Sequence, residues 1–361
     1  MKDHVEKAIL VGVKQKSNYD NFDSSLDELK GLMEAAGGQV LLSVKQSRER
    51  PEASTYLGKG KLKELVHLVE ELEPDLVVFN TELSPVQLRN LDEVLNVKVI
   101  DRTMLILDIF SQRARSKEGQ LQVELAQLEY QLPRLTGKGR ELSRLGGGIG
   151  TRGAGEQKLE LDRRYIRKRI HDIKEQLQTV RKTRELHRAR RKRQDFTVVS
   201  LVGYTNAGKS SLFNALCEIA HSSGHKQVEA DNRLFQTLDT TTRKIRTPSG
   251  RELLITDTVG FIQDLPHHLV AAFRSTLEEA IEADIIVHVV DAADPEYMDK
   301  MQVVREVLEE LGSPSEKIMT VFNKVDLIPF LESSNGLAAM VSARTGQGLT
   351  DLMAQIERRL D

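Results

Sequence analysis

Hydrophobic residues fall along this chain in alternating rhythms. Residues 7–13 form a short, nearly unbroken apolar run, the mark of a buried strand. Over residues 26–36 apolar side chains return every three or four positions, the mark of a helix packed on such a strand. That helix stops at Gly37-Gly38, and the cycle repeats as strand 39–44, helix 60–72 ending before Pro74, strand 75–79, helix 84–95 and strand 97–100. Ser84 reads as an N-cap, with Pro85 in the first helical position. This alternation predicts a small parallel sheet with helices on its faces. Between the second strand and its helix, the polar loop 48–60 runs into Leu57-Gly58-Lys59-Gly60-Lys61, which reads equally as a phosphate contact or as a solvated approach to the helix.

After the apolar stretch 103–110 only the helical rhythm remains. Leu121, Leu125, Leu128 and Leu132 make one stripe, which Pro133 ends or kinks. Leu161, Tyr165, Ile166, Ile170, Ile173, Leu177 and Val180 make a second within a helix spanning 159–193. The two predict a long antiparallel hairpin with a thin apolar seam and a polar, basic exterior. From Phe196 onward alternation resumes, with strands at 198–202, 253–256, 285–290, 317–322 and 338–341 and helices starting near His267, Met298 and Gly348. This predicts a doubly wound parallel sheet. The expected division is therefore an α/β domain over 1–111, a basic helical hairpin over 112–195, and a second α/β domain over 196–361.

Charge sharpens the middle segment. The chain as a whole carries a formal charge of −2, yet residues 112–194 hold 23 Lys and Arg against 10 Asp and Glu, a local +13 that leaves −15 for the rest. Such asymmetry points to a polyanion-binding segment between acidic domains. The hairpin's tip, Arg144-Leu145-Gly146-Gly147-Gly148-Ile149-Gly150-Thr151-Arg152, offers backbone and arginines rather than bulk, and Arg144, Gly146, Gly147, Gly148 and Arg152 are the expected RNA contacts. Gly148 to Gly153 spells a dinucleotide fingerprint, but a helical pattern precedes it where that motif needs a strand. Cys217 is the only cysteine, which excludes a disulfide framework or a cysteine zinc site and fits a reducing compartment. No apolar stretch approaches the ~20 residues that cross a membrane, and the start of the chain is not patterned as a signal peptide.

The chemistry concentrates after strand 198–202. Gly203-Tyr204-Thr205-Asn206-Ala207-Gly208-Lys209-Ser210 fits the phosphate-binding pattern G-x-x-x-x-G-K-[ST], preceded by a strand and followed by a helix as that loop requires. Its N–H groups face phosphate oxygens, Lys209 reaches the β- and γ-phosphates, and Ser210 can ligate Mg²⁺. Asp257-Thr258-Val259-Gly260 follows another strand, its aspartate placed to hold Mg²⁺ through water and the Gly260 N–H to sense a γ-phosphate. Asn323-Lys324-Val325-Asp326 and Ser342-Ala343-Arg344 close two further strands. A buried Asp326 carboxylate would accept from both guanine donors, which adenine lacks, and a backbone N–H at 342–344 could meet the guanine O6. His267-His268 reads as a surface pair at a helix start, with His221 and His225 nearby in sequence, and Cys217 reads as a core thiol.

These motifs together resemble the translation-factor class of P-loop GTPases, and with YLGKGK, RLGGGIGTRGAGE and LFQTLDTTTR the chain resembles the HflX GTPase family over essentially its whole length. The resemblance implies a GTPase using GTP/GDP and Mg²⁺, cytoplasmic and probing the large (50S) ribosomal subunit and its rRNA in rescue, dissociation or assembly. It implies neither DNA binding nor a transmembrane segment, suggests a monomer, and leaves peripheral membrane association open. Phe235, Gln236, Thr237, Leu238 and Asp239 match the family's first switch, with Thr237 as second Mg²⁺ ligand. Thr240, Thr241 and Thr242 are neighbours that spacing alone does not exclude. Lys209, Thr237 and Gly260 are the expected catalytic groups. Phe261 stands where the commonest GTPases carry a catalytic glutamine, so slow intrinsic hydrolysis and stimulation by the ribosome are expected. Asn206 either shapes the loop or helps seat a potassium ion. Two other readings are a structural RNA-binding protein holding GTP as a fixed ligand and a P-loop phosphotransferase, the latter disfavoured by the guanine selector. Asp326→Asn should lose GTP and gain xanthosine nucleotide, since the amide donates to the xanthine oxygen; ATP competing equally with GTP would refute the selector.

Overall fold

The structure is a computed structural model that describes residues 5–15, 21–135, 154–193, 196–220, 234–235, 237–263, 281–328 and 338–360, without the side chains of 154–158, 185 and 187–193. The hairpin tip with Arg144, Gly146, Gly147, Gly148 and Arg152, the histidines at 221, 225, 267 and 268, and Gln236 lie outside the described residues. The chain forms two compact units, Met1–Gln112 with Gln120–Thr179, and Arg113–Gly119 with Val180–Asp361.

In the first unit, β1 (Lys7–Lys14), β2 (Gln39–Ser47), β3 (Leu76–Phe79) and β4 (Lys98–Asp101) form a wholly parallel sheet in the order β2-β1-β3-β4. Around it lie α1 (Phe22–Ala35), α2 (Lys59–Leu72), α3 (Pro85–Leu95) and α4 (Arg102–Arg113). Ile9, Val11, Val77, Phe79 and Leu65 fill one core between sheet and helices. Ser84 caps α3 as expected: its hydroxyl accepts from the Gln87 N–H at 3.2 Å while its own N–H donates to Gln87 Oε1 at 3.0 Å. The Leu57-to-Lys61 segment is anchored at its start and open to solvent at Lys59 and Gly60. Leu57 is buried, Gly58 is the N-cap of α2, and the Gly58 N–H donates to Gln46 Oε1 at 3.0 Å. At the end of β4, buried Asp101 joins three segments. It accepts from the Met104 N–H (2.9 Å) at the start of α4, from the Leu83 N–H (3.0 Å), and from the Tyr130 hydroxyl (2.6 Å).

Tyr130 lies on α5 (Lys117–Arg134), the hairpin's first helix, which contains Pro133 in its last turn. The second helix, α6 (Ala154–Arg193), runs for 40 residues. Their seam is as thin as the stripes imply. Leu121, Leu125 and Ile173 are buried, Leu128, Ile170 and Leu177 flank them, and Arg169–Glu124 and Lys174–Glu129 ion pairs line the rim. The predicted stripe overreaches at one end: Leu161 and Tyr165 are 63% and 71% exposed. Helical periodicity fixes a face, but not how far a partner helix covers it.

In the second unit, β5 (Thr197–Gly203), β6 (Thr241–Arg246), β7 (Glu252–Asp257), β8 (Ile285–Asp291), β9 (Ile318–Asn323) and β10 (Ala339–Met340) form one sheet in the order β10-β9-β8-β5-β7-β6. Five strands are parallel, and β6 pairs antiparallel with β7. The five expected strands are parallel as predicted, and β6 is an added antiparallel edge strand. TTRKIR is short and polar, with Ile245 its one buried side chain, Thr241 and Arg243 partly buried and Thr242, Lys244 and Arg246 exposed, as suits a half-solvated edge strand. The described helices are α7 (Lys209–Ile219), α8 (Tyr297–Glu310) and α9 (Leu349–Leu360). Cys217 lies buried in the core between α7 and the sheet. Among the described residues no helix is long and apolar enough to cross a membrane. Ile173→Ala should destabilise the protein by about 2–4 kcal/mol in chemical denaturation, and Leu161→Ala by less than about 0.5 kcal/mol. Equal losses would refute the seam.

Candidate functional site

The phosphate-binding loop leaves buried β5 and enters α7, and its shape is dictated by close approach. Gly208 has φ +86°, and a Cβ there would lie 2.3 Å from Asn323 Nδ2. Asn206 adopts a left-handed φ of 60° and is exposed, a conformation that favours asparagine. Lys209 is buried, and its ammonium donates to the carbonyls of Gly203 (3.1 Å) and Tyr204 (2.9 Å). Burial pulls its pKa down to about 8, against the opposing pull of the Asp257 carboxylate.

Three oxygens meet beside it. The Ser210 hydroxyl donates to Asp257 Oδ2 at 2.7 Å, Thr237 Oγ1 reaches the same oxygen at 2.9 Å, and the two hydroxyls stand 3.0 Å apart. Burial pushes the Asp257 carboxyl upward, and bonds from Ser210 and Thr237 with the charge of Lys209 pull it back. The structure thereby distinguishes Thr237 from Thr241 and Thr242. Thr242 Oγ1 is spent on Thr256 Oγ1 at 2.9 Å, and Thr241 lies in the β6 ladder opposite Asp257. Phe235 and Leu238 are buried anchors on either side of Thr237. A set of two hydroxyls and one carboxylate oxygen fits a hard, oxygen-seeking cation such as Mg²⁺ that takes its remaining ligands from phosphate and water. Among the described residues no cluster of three His, Cys, Asp or Glu side chains offers a metal site.

The second switch is fastened by its backbone. The Phe261 N–H donates to Gly203 O at 3.1 Å, its carbonyl accepts the Thr205 N–H at 2.7 Å, and Thr258 Oγ1 donates to Leu201 O at 2.6 Å. The Phe261 ring packs with Val202, Tyr204, Ile286, Val304 and Leu308 in the core on one side of the sheet. Val259 is buried, and a Cβ on Gly260 would fall 2.8–2.9 Å from Thr205 and the Lys209 ammonium.

The motifs at 323–326 and 342–344 meet at the phosphate loop, with two differences from the expectation. Asn323 Nδ2 donates to Ala207 O and its Oδ1 accepts the Ala343 N–H, both at 3.0 Å, so one side chain ties phosphate loop, β9 and Ser342-Ala343-Arg344 together. The Ala343 N–H is therefore committed inside the protein. Buried Ser342 closes a turn, its Oγ accepting the Thr345 N–H at 3.1 Å. Lys324 has φ 64° and pairs with Asp291 at 2.6 Å, and Val325 is at the edge of burial. Asp326 is exposed, not buried, because it sits in the single turn Val325–Leu327 beyond the end of β9, where no strand covers it.

Family comparisons agree with this geometry. The chain matches the families described as GTP-binding GTPase N-terminal over residues 23–111, GTP-binding GTPase Middle Region over 113–191, and 50S ribosome-binding GTPase over 198–324. It is 50% identical to the GTPase HflX of Caldanaerobacter subterraneus subsp. tengcongensis, over 98% of this chain and 81% of that one. It is 42% identical to GTPase HflX of Escherichia coli, over 98% and 83% respectively. The chain belongs to the HflX GTPase family. Its fold is similar to the crystal structure of SsGBP in complex with GDP, with TM-score 0.54 and 26% identity over 98% of both chains. As an HflX GTPase it binds GTP and GDP and hydrolyses GTP.

The depressed pKa of Lys209 has a direct consequence. Its charged form holds phosphate, so binding raises the pKa and takes up a proton above pH 8. GDP affinity should be flat below about pH 7.5 and fall by up to about tenfold per pH unit through 8 to 9. Calorimetric titration of the native protein and of Lys209→Arg, which stays charged, checks this; equal pH dependence in the two would exclude Lys209 as the source.

Proposed function

We propose that this HflX-type protein is a GTP-driven switch acting on the large ribosomal subunit, with nucleotide state controlling its association with rRNA. The observation that carries this reading is Phe261. Its ring is committed to the core and cannot orient an attacking water, so efficient hydrolysis awaits a group from a partner. Two facts support the ribosome as that partner: the +13 charge of residues 112–194, and the match of residues 198–324 to a family described as 50S ribosome-binding. Arg144, Gly146, Gly147, Gly148 and Arg152 at the hairpin tip are the proposed RNA contacts.

In the reaction, Lys209 and the loop N–H groups hold the phosphates, and Ser210, Thr237 and Asp257 (through water) hold Mg²⁺. Mg²⁺, when bound, neutralises charge developing on the β- and γ-phosphate oxygens. The Gly260 N–H marks the γ-phosphate, and Asp326 selects guanine. Asn206 offers an amide where a potassium ion could sit beside the phosphates; equal rates in potassium and sodium would exclude that role. The protein is proposed to act as a cytoplasmic, ribosome-associated monomer.

Multiple-turnover phosphate release should rise roughly tenfold or more when large subunits are added. A variant lacking residues 146–155 should bind GTP normally, cosediment weakly and respond little. Binding of the intact protein should weaken roughly tenfold or more from low to physiological salt. Full cosedimentation by the shortened variant would refute the hairpin as the ribosome-reading element.

A further inference from the structure

Asp239 belongs by sequence to the first switch, two residues beyond Thr237 and two before β6. Its carboxylate is taken up by the chain that leads into α5. Oδ2 accepts the N–H groups of Arg115 and Ser116, both at 2.8 Å, and Oδ1 accepts the Ser116 hydroxyl. Ser116 in turn accepts the Gly119 N–H at 2.9 Å and so caps α5. A Cβ on Gly119 would stand 2.5 Å from Asp239 Oδ1, so glycine is what lets the carboxylate approach the helix. In the same first turn, Glu118 pairs with Arg184 of α6 at 2.5 Å. Asp239 is thus fastened to the root of α5, which is fastened to α6, all within the GTPase unit.

We propose that Asp239 is a positioning residue of the GTPase: by gripping the Ser116–Gly119 turn it sets where the Thr237 hydroxyl stands against Ser210 and Asp257. Three charge-assisted bonds to one carboxylate make a stiff tether, and only Leu238 separates it from Thr237. Leu238 is buried, which leaves the short link little slack. The coupling is reciprocal: whatever shifts the root of α5 shifts Thr237, and whatever recruits Thr237 pulls on the root. Where this touches RNA binding by the hairpin it rests on the function proposed above; the positioning itself does not.

The test is phosphate release as a function of Mg²⁺ concentration, without ribosomes, in Ser116→Ala, Ser116→Thr, Gly119→Ala, Asp239→Ala and the double variant Ser116→Ala/Asp239→Ala. Gly119→Ala favours the helix, so a loss there does not come from weakened α5. Ser116→Ala and Gly119→Ala should keep native GDP affinity, raise half-saturating Mg²⁺ about fivefold and lower the plateau rate about fivefold. Ser116→Thr should restore both, and the double variant should match Asp239→Ala alone. Native Mg²⁺ dependence in Gly119→Ala, or additive losses in the double variant, would overturn the proposal. A parallel series with large subunits separates the two ideas: absent stimulation in the native protein refutes the ribosome reading, while a retained Mg²⁺ shift without ribosomes still supports Asp239.

Discussion

One buried carboxylate oxygen, Asp257 Oδ2, is the point at which this GTPase is assembled. It ends β7, takes a hydroxyl from the first turn of α7 and takes another from the first switch. Leaving that oxygen without donors in the sheet's interior would be costly, because burial penalises the carboxylate's charge, and Ser210, Lys209, Thr237 and the Thr258 backbone offset the penalty. Phosphate loop, switch and sheet are thereby drawn to one place by a requirement of folding. The same three oxygens form the donor set suited to Mg²⁺, so the constraint that stabilises the domain also prepares its chemistry.

A second consequence follows from the backbone of the other switch. Phe261 pairs with Gly203 and Thr205 as a strand would, and its side chain must then point into the layer shared with Val202 and Ile286. An apolar residue is the stable choice there. The cost falls on catalysis, since the position loses a group able to orient water. Packing thus supplies a physical reason for the slow hydrolysis and partner stimulation proposed above. Buried His288 on neighbouring β8 is kept uncharged in the same way: burial lowers its pKa to about 4, so it behaves as core.

Much of this was legible in the sequence because it depends on local rules. The strand–helix alternation, the Ser84 cap and the hairpin seam at Leu121, Leu125 and Ile173 follow from periodicity and capping. The motifs at 203–210, 257–260, 323–326 and 342–344 carry their own spacing. What could not be read depends on tertiary partners. β6 hid because TTRKIR is polar on an edge. The separation of Thr237 from Thr242 needed the ladder that gives Thr242 to Thr256. Nothing near Asp239 in sequence points to Ser116, 123 residues away, although Gly119 in an otherwise helical run was the one available sign.

We propose one role for Thr237 that Thr242 does not share, completion of the Mg²⁺ and phosphate site. Its most direct measurement is multiple-turnover phosphate release from GTP in Thr237→Val beside Thr242→Val, each with confirmed GDP binding. A loss of roughly a hundredfold is expected in Thr237→Val, and a nearly native rate in Thr242→Val. Native hydrolysis by Thr237→Val, or an equal loss in both, would contradict it.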